Sequence, residues 1–403
     1  MKIALISEHA SPLAAFGGVD AGGQNVHVAE LSSALARQGH DVIVYTRRSD
    51  PASAARTVLP DGVRLVNLTA GPVKAVPKDL LLPYMDEFAH NLREDLRRER
   101  PALVHAHFWM SGRASLAAAH PMGIPVVQTF HALGIEKRRF QGHADTSPSS
   151  RLAQESEIVR RCDYVIATSR SEVDELSRMG LEAERVRVIP CGVNLAQFDR
   201  CRSVFAQPRR ARRRIVTLSR LVERKGIADV IRALPRLHDA ELIVAGGGDA
   251  RELETDPEYR RLLAIARELG VCERVVMHGR VERHEVPGLL RSADCVVCVP
   301  WYEPFGIVPL EAMACRVPVV ASAVGGLNDT VVHGETGYHV SPRSPQQVAA
   351  AVESLLDSVE TRRRFGEAGR ARVEARYTWE QVARATVDAY LECLDSARLD
   401  SIA

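Results

Sequence analysis

The chain has almost no net charge. Its 53 Lys and Arg stand against 51 Asp and Glu, a formal +2, so no global field favours nucleic acid or an anionic membrane, and any basic site must be local. It has no apolar run long enough to span a bilayer. The opening Met1-Lys2-Ile3-Ala4-Leu5-Ile6-Ser7 is too short for a secretion signal and reads directly as a strand. Paired cysteine spacing is also missing. Cys162, Cys191, Cys201, Cys272, Cys295, Cys298, Cys315 and Cys393 are scattered, which excludes a disulfide framework or a zinc site and predicts a reducing, cytoplasmic location. The one C-x-x-C, Cys295 to Cys298, falls in a strand-like run where alternation sends the two side chains to opposite faces, against metal or redox use. Neither a G-x-G-x-x-G dinucleotide fingerprint nor a short-period repeat is present.

What is there is the balance of a globular protein, 46% hydrophobic and 26% charged residues. A length of 403 residues predicts two or three compact units, with two as the working number. Strand, Gly-rich loop, helix and strand follow one another at Lys2 to Ser7, Gly17 to Gly23, Asn25 to Gln38 and Asp41 to Thr46. That is a βαβ unit. Apolar runs at Leu103 to His105, Pro125 to Thr129 and Tyr164 to Thr168 continue an α/β domain. The alternation restarts after the arginine run 209–214, for which an anion site and, with more weight, a solvated linker face are the open readings. The new strands are Ile215 to Leu218, Leu242 to Ala245, Val275 to His278, Cys295 to Val299 and Val317 to Ala321, and amphipathic helices follow from Pro345 to Leu394. The expected division is an N-terminal Rossmann-like domain 1–200, a second one 201–377, a hinge near Asn194 to Arg213 and a C-terminal helix 378–403 packing back on the first domain.

In open parallel sheets ligands bind beyond the carboxyl ends of strands, so the loops after strands carry the candidates. The first, Gly17-Gly18-Val19-Asp20-Ala21-Gly22-Gly23-Gln24-Asn25, offers uncrowded amides at a helix start, a phosphate cradle or equally a plain turn. After the first strand of the second domain, Arg220 and Lys225 read either as surface charges or as a clamp for a diphosphate. The segment Pro300 to Met313 says most. Pro309 fits only a helix's first turn, so the amides of Gly306, Ile307 and Val308 stand unpaired at the positive helix end. Glu303 and Glu311 beside such a phosphate site are acceptors suited to sugar hydroxyls.

Taken together, Glu303-x7-Glu311, Arg220, Lys225, the Gly-rich first loop and His131 in Thr129-Phe130-His131-Ala132 resemble the retaining family 4 glycosyltransferases of GT-B fold, over nearly the whole chain to Tyr377-Thr378-Trp379. The resemblance implies an α/β GT-B fold, two Rossmann-like domains facing across a cleft with a helical C-terminal tail. By it, Arg220 and Lys225 bind the donor diphosphate and offset charge on the leaving nucleotide. Glu303 holds the donor sugar's hydroxyls beside the amides of Gly306, Ile307 and Val308, and Glu311 takes the ribose. Arg280 borders the base, Gly22 and Gly23 close on the phosphates, and His131 faces the donor sugar near the reacting carbon. Arg220, Lys225, Glu303 and His131 form the catalytic set. The co-substrate implied is a nucleotide-sugar, UDP-sugar favoured, with no cofactor and no metal, because the cations and the helix end supply the electrostatics. Closure of the two domains around the donor is also expected.

The first half is most similar to the inositol-phosphate N-acetylglucosaminyltransferases of mycothiol synthesis and to sucrose-phosphate synthases, whose acceptors carry phosphate. The acceptor set carried over is Asn25, Lys78, Phe108 and Arg151. Phe108 stands where those inositol-phosphate enzymes have a tyrosine and Ala132 where they have a threonine. Two hydroxyl donors are gone, which argues against inositol phosphate itself and leaves a small, polar acceptor, phosphorylated or not. Lys137, Arg138 and Arg139 add cations near the same place, read as a solvated patch or an acceptor contact. A GT-B nucleotide-sugar epimerase or hydrolase, or a catalytically silent nucleotide-sugar-binding protein, is the alternative. The partners expected are donor and acceptor, with no nucleic acid and no transmembrane segment, and a homodimer stays open.

Overall fold

A computed structural model of the chain describes residues 1–13, 22–200, 205 and 207–400. The chain forms two compact units, Met1–Cys191 with Trp379–Ala403, and Gly192–Thr378. Residues 192–200, with the short helix Leu195–Arg200, therefore belong to the second unit rather than to the end of the first.

The first unit is built on eight strands: β1 Lys2–Ile6, β2 Asp41–Arg47, β3 Arg56–Val58, β4 Arg64–Leu68, β5 Leu103–His107, β6 Val126–Thr129, β7 Tyr164–Ala167 and β8 Val186–Val188. Their order is β3-β4-β2-β1-β5-β6-β7-β8, parallel except for the β3–β4 edge pair. β1 shows why. Ile3, Ala4, Leu5 and Ile6 are all fully buried, the unbroken apolar run of a parallel strand covered on both faces, not the alternation of a half-exposed one. The helix Gly23–Arg37 buries Val28, Leu31, Ala34 and Leu35 at helical spacing and ends before Gly39, whose φ is +83°.

The C-terminal helix Trp379–Asp400 groups with this first unit. Gln38 Nε2 donates to the Glu380 carbonyl at 3.0 Å, Tyr390 Oη lies 2.7 Å from His105 Nδ1, and the Trp379 ring stands edge-on to His27. Trp379 and Tyr390 are almost wholly buried, each contributing roughly 2–3 kcal/mol of apolar burial.

The second unit carries six parallel strands: β9 Arg213–Leu218, β10 Ala240–Ala245, β11 Val275–Gly279, β12 Cys295–Cys298, β13 Val319–Ser322 and β14 Gly337–Val340, in the order β11-β10-β9-β12-β13-β14. Its apolar core gathers Ile215, Leu242, Val244, Val297 and Val320 of the sheet with Ile231, Val352 and Phe365 of the helices. The arginine run is solvated only in part: Arg209, Arg210 and Arg212 are exposed, while its last member, within β9, is buried. Arg214 is 2% exposed and its Nε donates to the fully buried Glu241 at 2.7 Å, while Arg209 pairs with Asp294 at 2.9 Å. Those carboxylates lie far along the sequence, so a local reading of charge could not see the pairing. Among the described residues no two cysteines form a disulfide, and Cys295 belongs to the core. Among the described residues, no helix is long and apolar enough to cross a membrane.

Each sheet has one place where the strand order reverses, β1/β5 in the first unit and β9/β12 in the second. At such a point the loops leave in opposite directions and open a crevice at the strand ends.

Candidate active site

In the second unit the loops after β9 and β12 are strapped together. The Trp301 amide donates to the Arg224 carbonyl at 2.8 Å. Gly226, at φ +71°, lies so close to the end of β12 that a Cβ would come within 2.0 Å of the Val299 carbonyl oxygen, so only glycine fits this approach. The consequence is chemical. Lys225, one residue earlier, forms an ion pair and hydrogen bond with Glu303. Burial by itself would raise the Glu303 pKa, but the Lys225 ammonium, with Arg224 and Arg220 behind it, holds it below the usual carboxylate range. Arg220 is exposed on the same loop.

The helix Ile307–Ala314 begins two residues before Pro309, with Gly306 at φ +83° as its N-cap. Among the described residues no backbone or side-chain acceptor takes the amides of Gly306, Ile307 and Val308, so they present the positive helix end beside the Glu303 loop. Gly325 and Gly326, after β13, complete the turn. The Gly326 amide donates to the carbonyls of Glu303 and Pro304 at 3.1 Å each, and a Cβ on Gly325 would come within 2.0 Å of the Glu303 carbonyl oxygen. Sequence reasoning passed over both, although a Gly-Gly pair after a strand was a visible signal.

Glu311 is 3% exposed and paired with Arg283, whose guanidinium also lies 5.5 Å from the centre of the Phe198 ring. Arg283 was not among the expected residues; it sits three positions after Arg280, in the loop after β11. Arg280 itself pairs with Glu282 at 3.0 Å, and its amide donates to the Gly248 carbonyl.

In the first unit, residues 14–21, and with them Gly17 and Gly18 of the expected cradle, lie outside the described residues. Gly22 is the extended N-cap of the first helix and Gly23 its first residue. Asn25 is 4% exposed; its Oδ1 accepts from the Gly22 amide at 3.1 Å and its Nδ2 donates to the Ser11 carbonyl at 3.1 Å. In this structure it acts as a helix cap. Glu8 and His9, just past β1 and also passed over in the sequence, are bonded at 2.6 Å, and the fully buried Glu8 carboxylate also accepts from Ser111 Oγ.

Three of the acceptor candidates, Lys78, Phe108 and Arg151, lie along one network, and Asn25 stands apart from it. Arg151, 3% exposed, donates to Glu155 at 2.7 Å, to the Ala132 carbonyl at 2.6 Å and to Ser147 Oγ at 3.2 Å, and lies 5.1 Å from the Phe108 ring centre. Glu155 in turn accepts from the Gly134 amide at 2.8 Å. Its carboxyl pKa is raised by burial, against the pull of Arg151. Lys137, for which the sequence left a solvated patch and an acceptor contact open, donates to the same Ser147 Oγ at 2.9 Å and pairs with Asp79 and Asp145. Burial opposes ionisation of Asp79, but Thr146, Lys137 and its neighbour Lys78 bring its pKa below the ordinary value.

Two non-glycine residues at these strand ends have left-handed backbones, Phe108 at φ +81° and His131 at φ +61°. Such conformations cost about 1–3 kcal/mol each and concentrate at functional sites. His131 lies two residues past the end of β6, and its Nε2 lies 3.0 Å from His107 Nδ1. His27 and His105 pack against the pair. Burial lowers the pKa of all four, His27 to about 4 and His105 to about 3, so the imidazoles are neutral at pH 7. One nitrogen each of His27, His107 and His131 lies within 4.8 Å of the others, a spacing a metal could use. Within this group His107 Nδ1 and His131 Nε2 already share a hydrogen bond.

Two parallel α/β units with loaded switch points, and a carboxylate–cation pair at a helix mouth in the second, are the marks of a GT-B glycosyltransferase. Comparison with known proteins agrees: residues 204–372 match the family model described as Glycosyl transferases group 1, and residues 21–197 match Glycosyltransferase Family 4. The chain is 34% identical to a D-inositol 3-phosphate glycosyltransferase of Xylanimonas cellulosilytica, over 97% of this chain and 96% of that one. Similarity to a sucrose-phosphate synthase of Thermosynechococcus elongatus is 31% identity with a TM-score of 0.88, covering 98% of this chain and 100% of that one. An Anabaena protein solved with UDP-glucose shares the fold at 21% identity and a TM-score of 0.71, covering 98% of this chain and all of that one. The chain belongs to the family 4 glycosyltransferases of GT-B fold.

Proposed function

We propose that the protein is a retaining glycosyltransferase that moves a sugar from a nucleotide-diphosphate sugar, UDP-sugar favoured, to a hydroxyl of a small polar acceptor. The second unit takes the donor and the first the acceptor. The observation that carries this reading is the Lys225–Glu303 pair beside the open amides of Gly306, Ile307 and Val308. A diphosphate entering there draws Lys225 and Arg220 to its oxygens and releases Glu303 to accept from sugar hydroxyls. Glu311 takes the ribose hydroxyls, Arg280 borders the base, and His131 contacts the donor sugar.

The acceptor oxygen attacks the anomeric carbon from the side the diphosphate leaves, the carbon–phosphate-oxygen bond breaks, and the acceptor's proton passes to the leaving phosphate. Charge on that phosphate is met by Arg220, Lys225 and the helix end, so neither a metal nor a cofactor takes part. Phosphorylated polyols and sugars are the first acceptors to try, since relatives named for phosphorylated acceptors or products match nearly the full length. Lys78, Lys137 and Arg151 supply cations, each beside a carboxylate. Loss of the two hydroxyls at Phe108 and Ala132 weighs against inositol phosphate itself.

The test is transfer from a panel of nucleotide-sugars with excess chelator present, followed by NMR of the product's anomeric proton. An α-donor giving an α-product upholds the reading. A β-product refutes retention, activity lost to chelator refutes metal independence, and sugar freed equally well without acceptor assigns a hydrolase.

A further inference from the structure

We infer that His107 is a positioning residue for transfer: it donates from Nδ1 to His131 Nε2, fixing the His131 ring with its own proton on Nδ1, as a neutral donor to the substrate. This rests on the reading of His131 as a donor-sugar contact. The geometry supports it from several sides. The two nitrogens are 3.0 Å apart, with the ring centroids at 5.2 Å and the ring planes inclined by 26°. His107 is wholly buried, and its Nε2 has no partner among the described residues.

Both imidazoles are neutral and carry one proton each, because burial and the neighbouring rings disfavour the charged form. The shared bond therefore decides both tautomers. If His131 donated, the His107 proton would sit on Nε2, a buried N–H with nothing to receive it. With His107 donating, Nε2 keeps only a lone pair. Orphaned buried donors are the rarer and costlier outcome.

Among the described residues nothing competes for the bond. His27 meets the His131 ring edge-on at 4.9 Å, with its Nδ1 turned to Cys191 Sγ at 3.3 Å. His105 lies over His107 at 4.2 Å, its two nitrogens taken by Tyr390 and Thr129. His9 bonds to Glu8. The left-handed backbone of His131 gives the ring a fixed root, and the bond sets its rotation.

The experiment pairs two substitutions with a spectroscopic readout on the full chain. The amide nitrogen of Asn overlays imidazole Nδ1, whereas that of Gln overlays Nε2. His107→Asn is expected to keep turnover within a few-fold of the parent, and His107→Gln to lose about tenfold or more in kcat with donor KM nearly unchanged. A role in packing alone predicts the reverse order, because Gln fills the imidazole volume better. Long-range 15N–1H spectra of the imidazoles read the tautomer without reference to activity. A His131 proton on Nδ1 in the parent and in His107→Asn, with a mixture in His107→Gln, upholds the inference. A proton on Nε2 in the parent, or equal kcat for the two variants with His131→Ala inactive, overturns it. If instead His131→Ala keeps full turnover while the tautomer is as expected, the placement of His131 at the donor sugar fails, and the hydrogen-bond assignment stands.

Discussion

Replacing Glu303 by Gln separates what the Lys225 pair does for the fold from what Glu303 does for transfer. The two side chains are only 16% and 18% exposed. Removing one partner of a buried pair costs about 3–5 kcal/mol, but Gln keeps one hydrogen bond to the ammonium and some water reaches both groups, so about 1–2 kcal/mol is expected at pH 7. The sign with pH follows from the depressed Glu303 pKa. The contribution is fully present above the unfolded value of 4.5 and is lost as pH falls through the folded value. The gap between parent and Glu303→Gln in urea should therefore close in acid. In function, the substitution frees Lys225 for the diphosphate, so nucleotide affinity is kept or increased, while kcat falls by roughly 10²–10³, the scale of losing one transition-state contact. Calorimetric titration with UDP and a transfer assay on the same preparation measure both. Turnover equal to the parent would remove Glu303 from the active site; loss of nucleotide binding together with turnover would show that it serves only to build the pocket.

Gly226→Ala should lower stability by about 2 kcal/mol or more, because the left-handed backbone and the Val299 carbonyl both oppose a Cβ; an unchanged melting temperature would refute the close approach. Arg283→Met should cost about 3 kcal/mol by leaving the buried Glu311 carboxylate unpaired, and adding Glu311→Gln should recover part of that. Strict additivity in urea unfolding would show that the pair is not coupled. Stability of the first unit should fall as pH drops from 6.5 towards 4, because His27 stays neutral folded but takes a proton when unfolded. At pH 5 the His27 share is about 2 kcal/mol. Trp109 and Trp379 report that unit by fluorescence, and His27→Asn should flatten the slope.

The sequence by itself determined the two α/β alternations, the strand-end loops and the helix start before Pro309, because each is encoded by near neighbours: apolar runs, glycine, and a proline that only a first helical turn admits. It also determined that Lys225, Glu303 and Glu311 lie on loops or helix ends where a ligand would be sought. Long-range pairing was beyond it. Arg283 meets Glu311 across 28 positions, Arg214 meets Glu241 across 27, and Lys137 meets Asp79 across 58. A charged residue read alone looks like a surface charge until the fold supplies its partner. Asn25 reads in sequence as a helix start and an acceptor contact, and only the turn of chain at Ser11 and Gly22 makes it a cap. Nor does any glycine mark the left-handed turns at Phe108 and His131, since there the surrounding packing, not local preference, sets the backbone. Local chemistry thus selected the elements and the candidate loops. The tertiary structure decided which charges are neutralised, which histidines are bonded to each other, and which amides stay open, because those depend on distances that no short window of sequence contains.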